Sequence, residues 1–392
     1  MANLKTIVGM YRQKYNSEPL LVRSPARIIL IGEHTDYHLG PVLPATINKY
    51  LYLAIGLRID NEIHIESVDF NDRYATSLSE LVPALKLWPN YLLGVINEFH
   101  IAGKINSGIN IVFGGEIPLS TGLASSASVT CATAFALNKL FDGGCSLLEI
   151  AKIAQRAEHT YLGVECGLLD QYTNFFGKEG FWIKINCRSL EHTYVPATTN
   201  EVTIVLFDSG IRHNLVNLAA AFKERKRECK RGIALVQQHE PQINSLADIS
   251  REMLSKYVEP VDLVSYKRCL YVVQEINRFE NICKDLEKQD FKSIGQRLFE
   301  NHEGLKDLYE VSCDECDFLV DVTKKIPEVF GSRMMGAGFG GCTINLIKSA
   351  DTDSVIEKVK KEFVKKYGRD LKVYLTTIGN ATEEVTCLPD LN

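Results

Sequence analysis

The chain is expected to be an α+β protein of two domains, and three observations lead there. Its 392 residues exceed the size at which a single core usually stops growing. Short β-branched apolar runs crowd the first third, and long charged amphipathic helices take over after residue 200. A change of texture between residues 190 and 200 divides the chain into 1–195 and 196–392.

Strands are expected at Arg27 to Ile31, Tyr52 to Leu57, Ile63 to Ser67 and Ile109 to Phe113, where apolar residues alternate or run together. A helix of small residues should span Ala124 to Leu140 and stop at Asp142-Gly143-Gly144. Ser146 and Glu149 then form a capping-box pattern opening a helix to about Tyr161. Strands return at Phe181 to Ile185 and Val202 to Phe207, followed by helices from Asn214 to about Gln238 and from Val261 to about Leu286. The last hundred residues hold a glycine loop joined to a strand (Gly331 to Ile347), a helix at Ser354 to Tyr367 and a final strand at Lys372 to Thr377.

A net charge of −5 with 45% hydrophobic and 24% charged residues excludes a basic nucleic-acid binder and disfavours an anionic membrane partner. The start has no basic region followed by an apolar stretch, and no run approaches the roughly 20 apolar residues of a membrane span. A cytoplasmic monomer acting on small molecules is the expectation. Eleven cysteines without a targeting signal fit reduced thiols. Cys313 and Cys316 form a lone C-x-x-C with no second pair nearby, which favours a structural role over zinc.

Arg27 to Tyr37 carries the most functional information, because an apolar strand runs into a packed polar cluster. Glu33, His34 and Asp36 form a hydrogen-bonding comb suited to a polyhydroxylated ligand, and Gly32 lets the backbone turn. Gly114 to Ser128 puts glycines, hydroxyls and small residues at a helix N-terminus, where free amides and the helix dipole favour phosphate. It lacks the Gly-Lys-Ser/Thr of a Walker A loop, and tight packing of a small-residue helix is the plain alternative.

Glu158 falls on the apolar stripe of its helix with Leu147, Ile150, Ala151, Ala154, Ala157 and Tyr161. A carboxylate there needs a cation, donors or a raised pKa, unless the helix frays and lets it reach solvent. Mg²⁺ on nucleotide phosphates, held by Ser126 and Glu158, would satisfy it. Asp170 is the candidate general base, or otherwise an N-cap for Gln171 to Phe176; Arg27 can hold that carboxylate and steady a transferred phosphoryl group. Gly336, Gly338, Gly340 and Gly341 make a loop too glycine-rich for turns alone, read as closing over bound substrate or nucleotide.

Taken in order, these segments resemble the galactokinase branch of the GHMP small-molecule kinases over nearly the whole chain. Gly32 to Tyr37 is similar to that branch's sugar motif, Pro118 to Ala127 to its phosphate loop with one change, and Cys166 to Gln171 to its C-G-x-x-D-Q motif. Ala157-Glu158-His159, Cys187 to Glu191 and Glu310 to Cys313 fit the same pattern.

The resemblance implies a two-domain GHMP kinase fold with mixed β-sheets and helices, its site in the interdomain cleft. It implies ATP-dependent phosphorylation of galactose at the anomeric hydroxyl, with Mg²⁺ as cofactor. By the same likeness Arg27 is the transition-state stabiliser and Asp170 the base, while Glu33, His34, Thr35 and Asp36 hold the sugar beside Gly167. Ser120, Thr121, Gly122, Leu123, Ala124, Ser125 and Ser126 would cradle ATP, with Ser67 and Trp88 near the adenine by looser correspondence.

Three departures stand out. Pro25-Ala26-Arg27 replaces Pro-Gly-Arg, and Ser120-Thr121-Gly122 replaces Gly-x-Gly. Phe222 stands where the family has a sugar-binding Tyr, keeping the ring without the hydroxyl. The basic run Lys223 to Arg231 is read as a solvated helix face. A sister kinase for another aldose, uronic acid or amino sugar is the nearest rival, and a non-catalytic sugar and ATP sensor the more distant one.

Overall fold

Two sheets and the helices between them organise the chain. The computed structural model describes residues 3–118, 121–197, 200–212 and 215–386, with only the backbone for 215–219. The first sheet grows from β1 (Leu20–Ile31) paired antiparallel with β2 (Pro41–Leu57). β3 (Glu62–Ser67) and β4 (Asp72–Ser77) form its far edge, and β5 (Ile109–Gly115) joins them to β2, lying parallel to β3. β6 (Phe181–Asn186) pairs with the start of β2, and β7 (His192–Pro196) pairs with β6.

The second sheet is antiparallel throughout and comprises β8 (Val202–Asp208), β9 (Val329–Met334), β10 (Cys342–Lys348) and β11 (Lys372–Thr376), ordered β11-β8-β10-β9. The short β12 (Glu383–Glu384) returns to the first sheet and pairs with Val22 and Arg23 of β1. Mixed sheets with interspersed helices make this the expected α+β fold.

β1 and β2 run longer than their sequence suggests, because Pro25, Pro41 and Pro44 look like breaks. The sheet absorbs them through local irregularity: the register slips between Pro25 and Ala26 and again between Ile29 and Ile31, opposite Pro44 and Leu43. An unexpected helix, Leu4–Tyr15, is capped by Asn3 and sets Ile7, Val8 and Tyr11 on Leu21, Ala54 and Val112. Helix Ser125–Leu140 lies on β1 and β2, its buried Ala127, Ala132, Ala134 and Ala136 permitting close approach. Helix Leu147–Leu162 has the expected capping box and ends at Gly163 in the left-handed region. It packs so closely on helix Asn90–Ile101 that a Cβ at Gly94 would meet Ala157 at 3.0 Å.

Candidate active site

β1 delivers both halves of the site. Arg27, near its middle, is buried, and its guanidinium grips Asp170 with two parallel bonds, Nε to Oδ1 at 2.7 Å and Nη2 to Oδ2 at 3.1 Å. Its Nη1 donates to the Gly122 carbonyl, and its backbone N–H donates to the Leu123 carbonyl at 3.2 Å. One residue thereby ties the strand, the phosphate loop and the candidate base together. Burial works against the charge of Arg27, but Asp170, Glu33 and Asp36 around it raise its pKa. Asp170 sits inside the first turn of helix Leu169–Phe176, whose N-cap is Leu168, so the capping alternative falls away.

After β1 the chain turns at Gly32, where φ is +103° and a Cβ would lie 2.8 Å from the Val42 Cα. His34 follows in the left-handed region at φ +64°, a strained placement for a residue with a side chain. The turn is held by Thr35, whose hydroxyl donates to the carbonyls of Gly32 (2.9 Å) and Pro41 (2.8 Å). Thr35 thus spends its hydroxyl on the backbone and does not line the cavity, unlike Glu33, His34 and Asp36.

That cavity, of about 380 Å³, is lined by Arg27, Glu33, His34, Asp36, Asp170 and Phe222 among others. Gly167 borders it where a Cβ would fall 1.8 Å from Asp36 Oδ2, so a side chain there would displace the Asp36 carboxylate. Burial and the nearby charge of Asp170 push Asp36 up to about 6. Glu33 accepts from Arg333 Nη1 at 3.1 Å and from the Gly336 N–H at 2.7 Å, and burial still raises its pKa despite Arg333 and Arg27.

Ser126 and Glu158 come together as expected, both lining the cavity. Glu158 is buried well inside its helix, so the frayed-end alternative falls away as well. Glu158 Oε1 accepts from Gln171 Nε2 at 2.8 Å and from Thr130 Oγ1 at 3.4 Å. Burial first, then the charge of Asp170, push Glu158 up to about 7, and no cation is paired with it among the described residues. Gln171 Oε1 is buried with no partner among the described residues. Oxygen donors with an uncompensated carboxylate fit Mg²⁺, which takes one or two protein ligands and fills the rest with phosphate and water.

In the phosphate loop, Ala124 holds the N-cap position at φ +57° with no side-chain cap, leaving the first amides of the Ser125–Leu140 helix open. Ser120 lies outside the described residues. Thr121 and Leu123 are buried; the Thr121 hydroxyl donates to the Pro118 carbonyl, and its carbonyl accepts from the Cys342 N–H. Ser67 and Trp88 lie outside the main cavity. Trp88 stacks on Phe70 at 6.2 Å, abuts Phe113 and donates to Asp72, while Ser67 pairs with Phe113 across β3 and β5.

The glycine loop meets other backbone, and only Gly336 of its four named glycines lines the cavity. A Cβ at Gly336 would meet Gly122 at 3.1 Å, and one at Gly341 would meet the Thr121 carbonyl at 2.7 Å. Gly338 approaches Val311 and Gly340 approaches Ile211 in the same way. The loop therefore locks onto the phosphate loop and its neighbours.

The basic run is only partly a solvated face. Arg225 turns inward to the carbonyls of Tyr309 (2.7 Å) and Glu310 (3.0 Å), and Lys226 Nζ lies 5.2 Å from the Tyr37 ring in the cavity wall. Phe222, one turn before Lys226, packs on His34 at 5.7 Å and Tyr37 at 5.1 Å.

Arg333, Gln171 and Tyr309 carry structural weight that the sequence reading did not assign. A lone arginine in the apolar strand β9 was a usable signal for the first, by the logic that flagged Glu158; Tyr309 offered none. Cys313 and Cys316 are free thiols, and no group of three metal-ligating side chains occurs among the described residues. Nor is any described helix long and apolar enough to cross a membrane.

Comparison with known proteins is consistent along the chain. Residues 10–57 match the galactokinase galactose-binding signature, 90–178 the GHMP kinases N-terminal domain and 282–365 the GHMP kinases C-terminal domain. A Thermotoga petrophila galactokinase is 36% identical over 365 residues, 93% of this chain and 99% of that one. The crystal structure of Lactococcus lactis galactokinase complexed with galactose superposes with a TM-score of 0.92 at 30% identity, covering 97% of this chain and all of that one. Methanococcus jannaschii mevalonate kinase, at a TM-score of 0.59 and 19% identity over 93% of this chain and 100% of its own, shares the fold.

Proposed function

The chain belongs to the galactokinases of the GHMP kinase family, and from that premise we propose that its cavity is where the γ-phosphoryl group of ATP passes to the anomeric hydroxyl of D-galactose. The products are α-D-galactose 1-phosphate and ADP, the first committed step of galactose catabolism.

The observation that carries this reading is the two-pronged contact of Arg27 with Asp170, placed where the sugar motif meets the phosphate loop. Asp170 orients the anomeric hydroxyl and takes its proton as the oxygen attacks phosphorus and the bond to the ADP oxygen breaks. Arg27 holds that carboxylate in place, and its fixed positive charge faces the phosphoryl group as negative charge spreads over its oxygens. Glu33, His34 and Asp36 read sugar hydroxyls beside Gly167, with Phe222 as the far wall.

The open amides at Ser125 and Ser126 face the nucleotide phosphates, and Ser67 and Trp88 remain candidates for the adenine end. Mg²⁺, when held by Ser126 and Glu158, neutralises phosphate charge. A monomer suffices for this chemistry, since one chain supplies every group named, and dependence on ATP fits a cytoplasmic location.

A coupled assay of ADP release across free aldoses with Mg²⁺, repeated on Asp170→Ala, tests the proposal. Turnover of galactose that disappears in the variant supports it. Turnover of another aldose or a uronic acid without galactose would move the chain to a sister sugar kinase, and no turnover of any sugar would overturn the enzyme reading.

A further inference from the structure

From His34 a line of polar groups runs through Tyr37, which also lines the cavity, to two fully buried residues. His34 Nδ1 lies 2.8 Å from the Tyr37 hydroxyl, which lies 2.9 Å from the Tyr309 hydroxyl, which lies 3.8 Å from the Cys229 sulfur. On its other side, His34 Nε2 is buried with no partner among the described residues, in a ring that lines the cavity. We propose that Tyr309 and Cys229 are positioning residues for sugar recognition: acting through Tyr37, they fix the hydrogen of His34 on Nδ1 and leave Nε2 as an acceptor for a sugar hydroxyl.

The polarity follows from counting hydrogens. Between a phenol and a thiol the hydroxyl is the stronger donor, so Tyr309 donates to Cys229. Its single hydrogen is then spent, and its oxygen accepts from Tyr37. The Tyr37 hydrogen is spent in turn, so its oxygen accepts from His34 Nδ1–H. A neutral imidazole carries one hydrogen, and Nε2 is left bare.

Two further facts agree. Burial, with the charge of His38, Arg333 and Arg225, lowers His34 to about 3, so the ring is neutral across the working range. Burial alone would raise the Cys229 thiol, but the neighbouring Cys269, His38 and Tyr309 side chains bring it below its ordinary value, which suits a terminal acceptor. The line is closed at its far end, because Cys229 and Tyr309 are both fully buried.

The inference rests on the sugar reading of the cavity, so its test separates the two. Two-bond proton–nitrogen correlation spectra of histidine-labelled enzyme, free of sugar and ATP, report which His34 nitrogen carries hydrogen, with His34→Gln supplying the assignment. The expected result is Nδ1–H in the wild type and a shift toward Nε2–H in Tyr309→Phe. In turnover, Tyr309→Phe and Cys229→Ala should raise galactose KM about fivefold with kcat held, while Cys229→Ser, which keeps an acceptor, stays close to wild type. Wild-type His34 carrying Nε2–H, or a folded Tyr309→Phe with unchanged tautomer and KM, would overturn the relay. Absence of galactose turnover in the wild type would instead sink the functional reading, and a Tyr309→Phe that fails to fold leaves the wild-type tautomer to decide.

Discussion

Arg27 and Asp170 are joined by two near-parallel hydrogen bonds of 2.7 and 3.1 Å, although 143 residues separate them. On the proposed mechanism the pair divides the labour of the chemistry, the carboxylate handling a proton and the guanidinium handling phosphoryl charge. Asp170→Asn should lower kcat by about 10²- to 10⁴-fold with little change in galactose KM. Arg27→Lys keeps a charge but loses the fork, and should also fall mainly in kcat. A purely KM effect in either variant would mean that the pair only shapes the sugar pocket.

Asp36 predicts a pH dependence. Its folded value is raised to about 6, so it is neutral below that pH and charged above it. In the free protein this contribution to stability is present below the unfolded value and lost as pH rises through about 6. Sugar hydroxyls that donate to the carboxylate favour the charged form, so galactose affinity should weaken as pH falls through 6. Calorimetric binding of galactose without nucleotide or Mg²⁺ isolates this group from Glu158. Affinity that stays flat from pH 5 to 8 would remove Asp36 from the list of sugar acceptors.

Glu158 is a carboxylate that the free protein holds at a cost. A value raised to about 7 from the ordinary 4.5 means that above pH 7 its charge destabilises the fold by roughly 3 kcal/mol, and below about 4.5 by nothing. Glu158→Gln should therefore be more stable than wild type at pH 8 and similar at pH 5, while losing the stabilisation that Mg²⁺ with ATP gives the wild type. Thermal melts at both pH values check the sign. Full retention of the Mg²⁺ effect in the variant would place the metal elsewhere.

Arg333 and Glu33 predict a stability coupling. Arg333 is fully buried and donates to the carbonyls of Leu30 (3.0 Å) and Met334 (2.7 Å), to that of Ile29, and to Glu33. Arg333→Met strands the Glu33 charge and should cost about 3–5 kcal/mol, and adding Glu33→Gln should recover part of it. Denaturant titrations of the two single variants and the double variant measure the coupling; strict additivity would show that the ion pair is incidental.

What the sequence disclosed and what it withheld divide along a physical line. Arg27, Asp170, Glu158 and the Gly32 turn were legible because each breaks a local rule: a charge in an apolar run, a carboxylate on a buried stripe, a backbone that a side chain would block. Thr35 enters the sugar set only through the family likeness, and in sequence a hydroxyl inside a polar cluster looks the same whether it faces ligand or backbone. The glycine loop is ambiguous for a related reason, since close approach to another loop leaves the same signature as close approach to a ligand, and Gly336 alone of its four named glycines lines the cavity. Tyr309 and the lengths of β1 and β2 depend on partners far along the chain, and local periodicity cannot see them.

Phe222 yields the prediction most specific to this chain. Its ring lines the cavity and is held by His34 and Tyr37, 5.7 and 5.1 Å away, so a tyrosine keeps the same ring contacts. Phe222→Tyr adds a hydroxyl to that wall. If galactose reaches it, the new bond is worth about 1 kcal/mol, and galactose KM should drop about fivefold with kcat held. The gain should vanish for deoxy-sugars lacking the matching hydroxyl, because a site built to bond a hydroxyl discriminates against its absence. Lys226, four residues on and 5.9 Å from the same ring, is the competing partner. A bond between the new hydroxyl and Lys226 would leave KM unchanged in Phe222→Tyr and lower it only when Lys226→Met is added, so the double variant decides whether this wall meets the sugar at all.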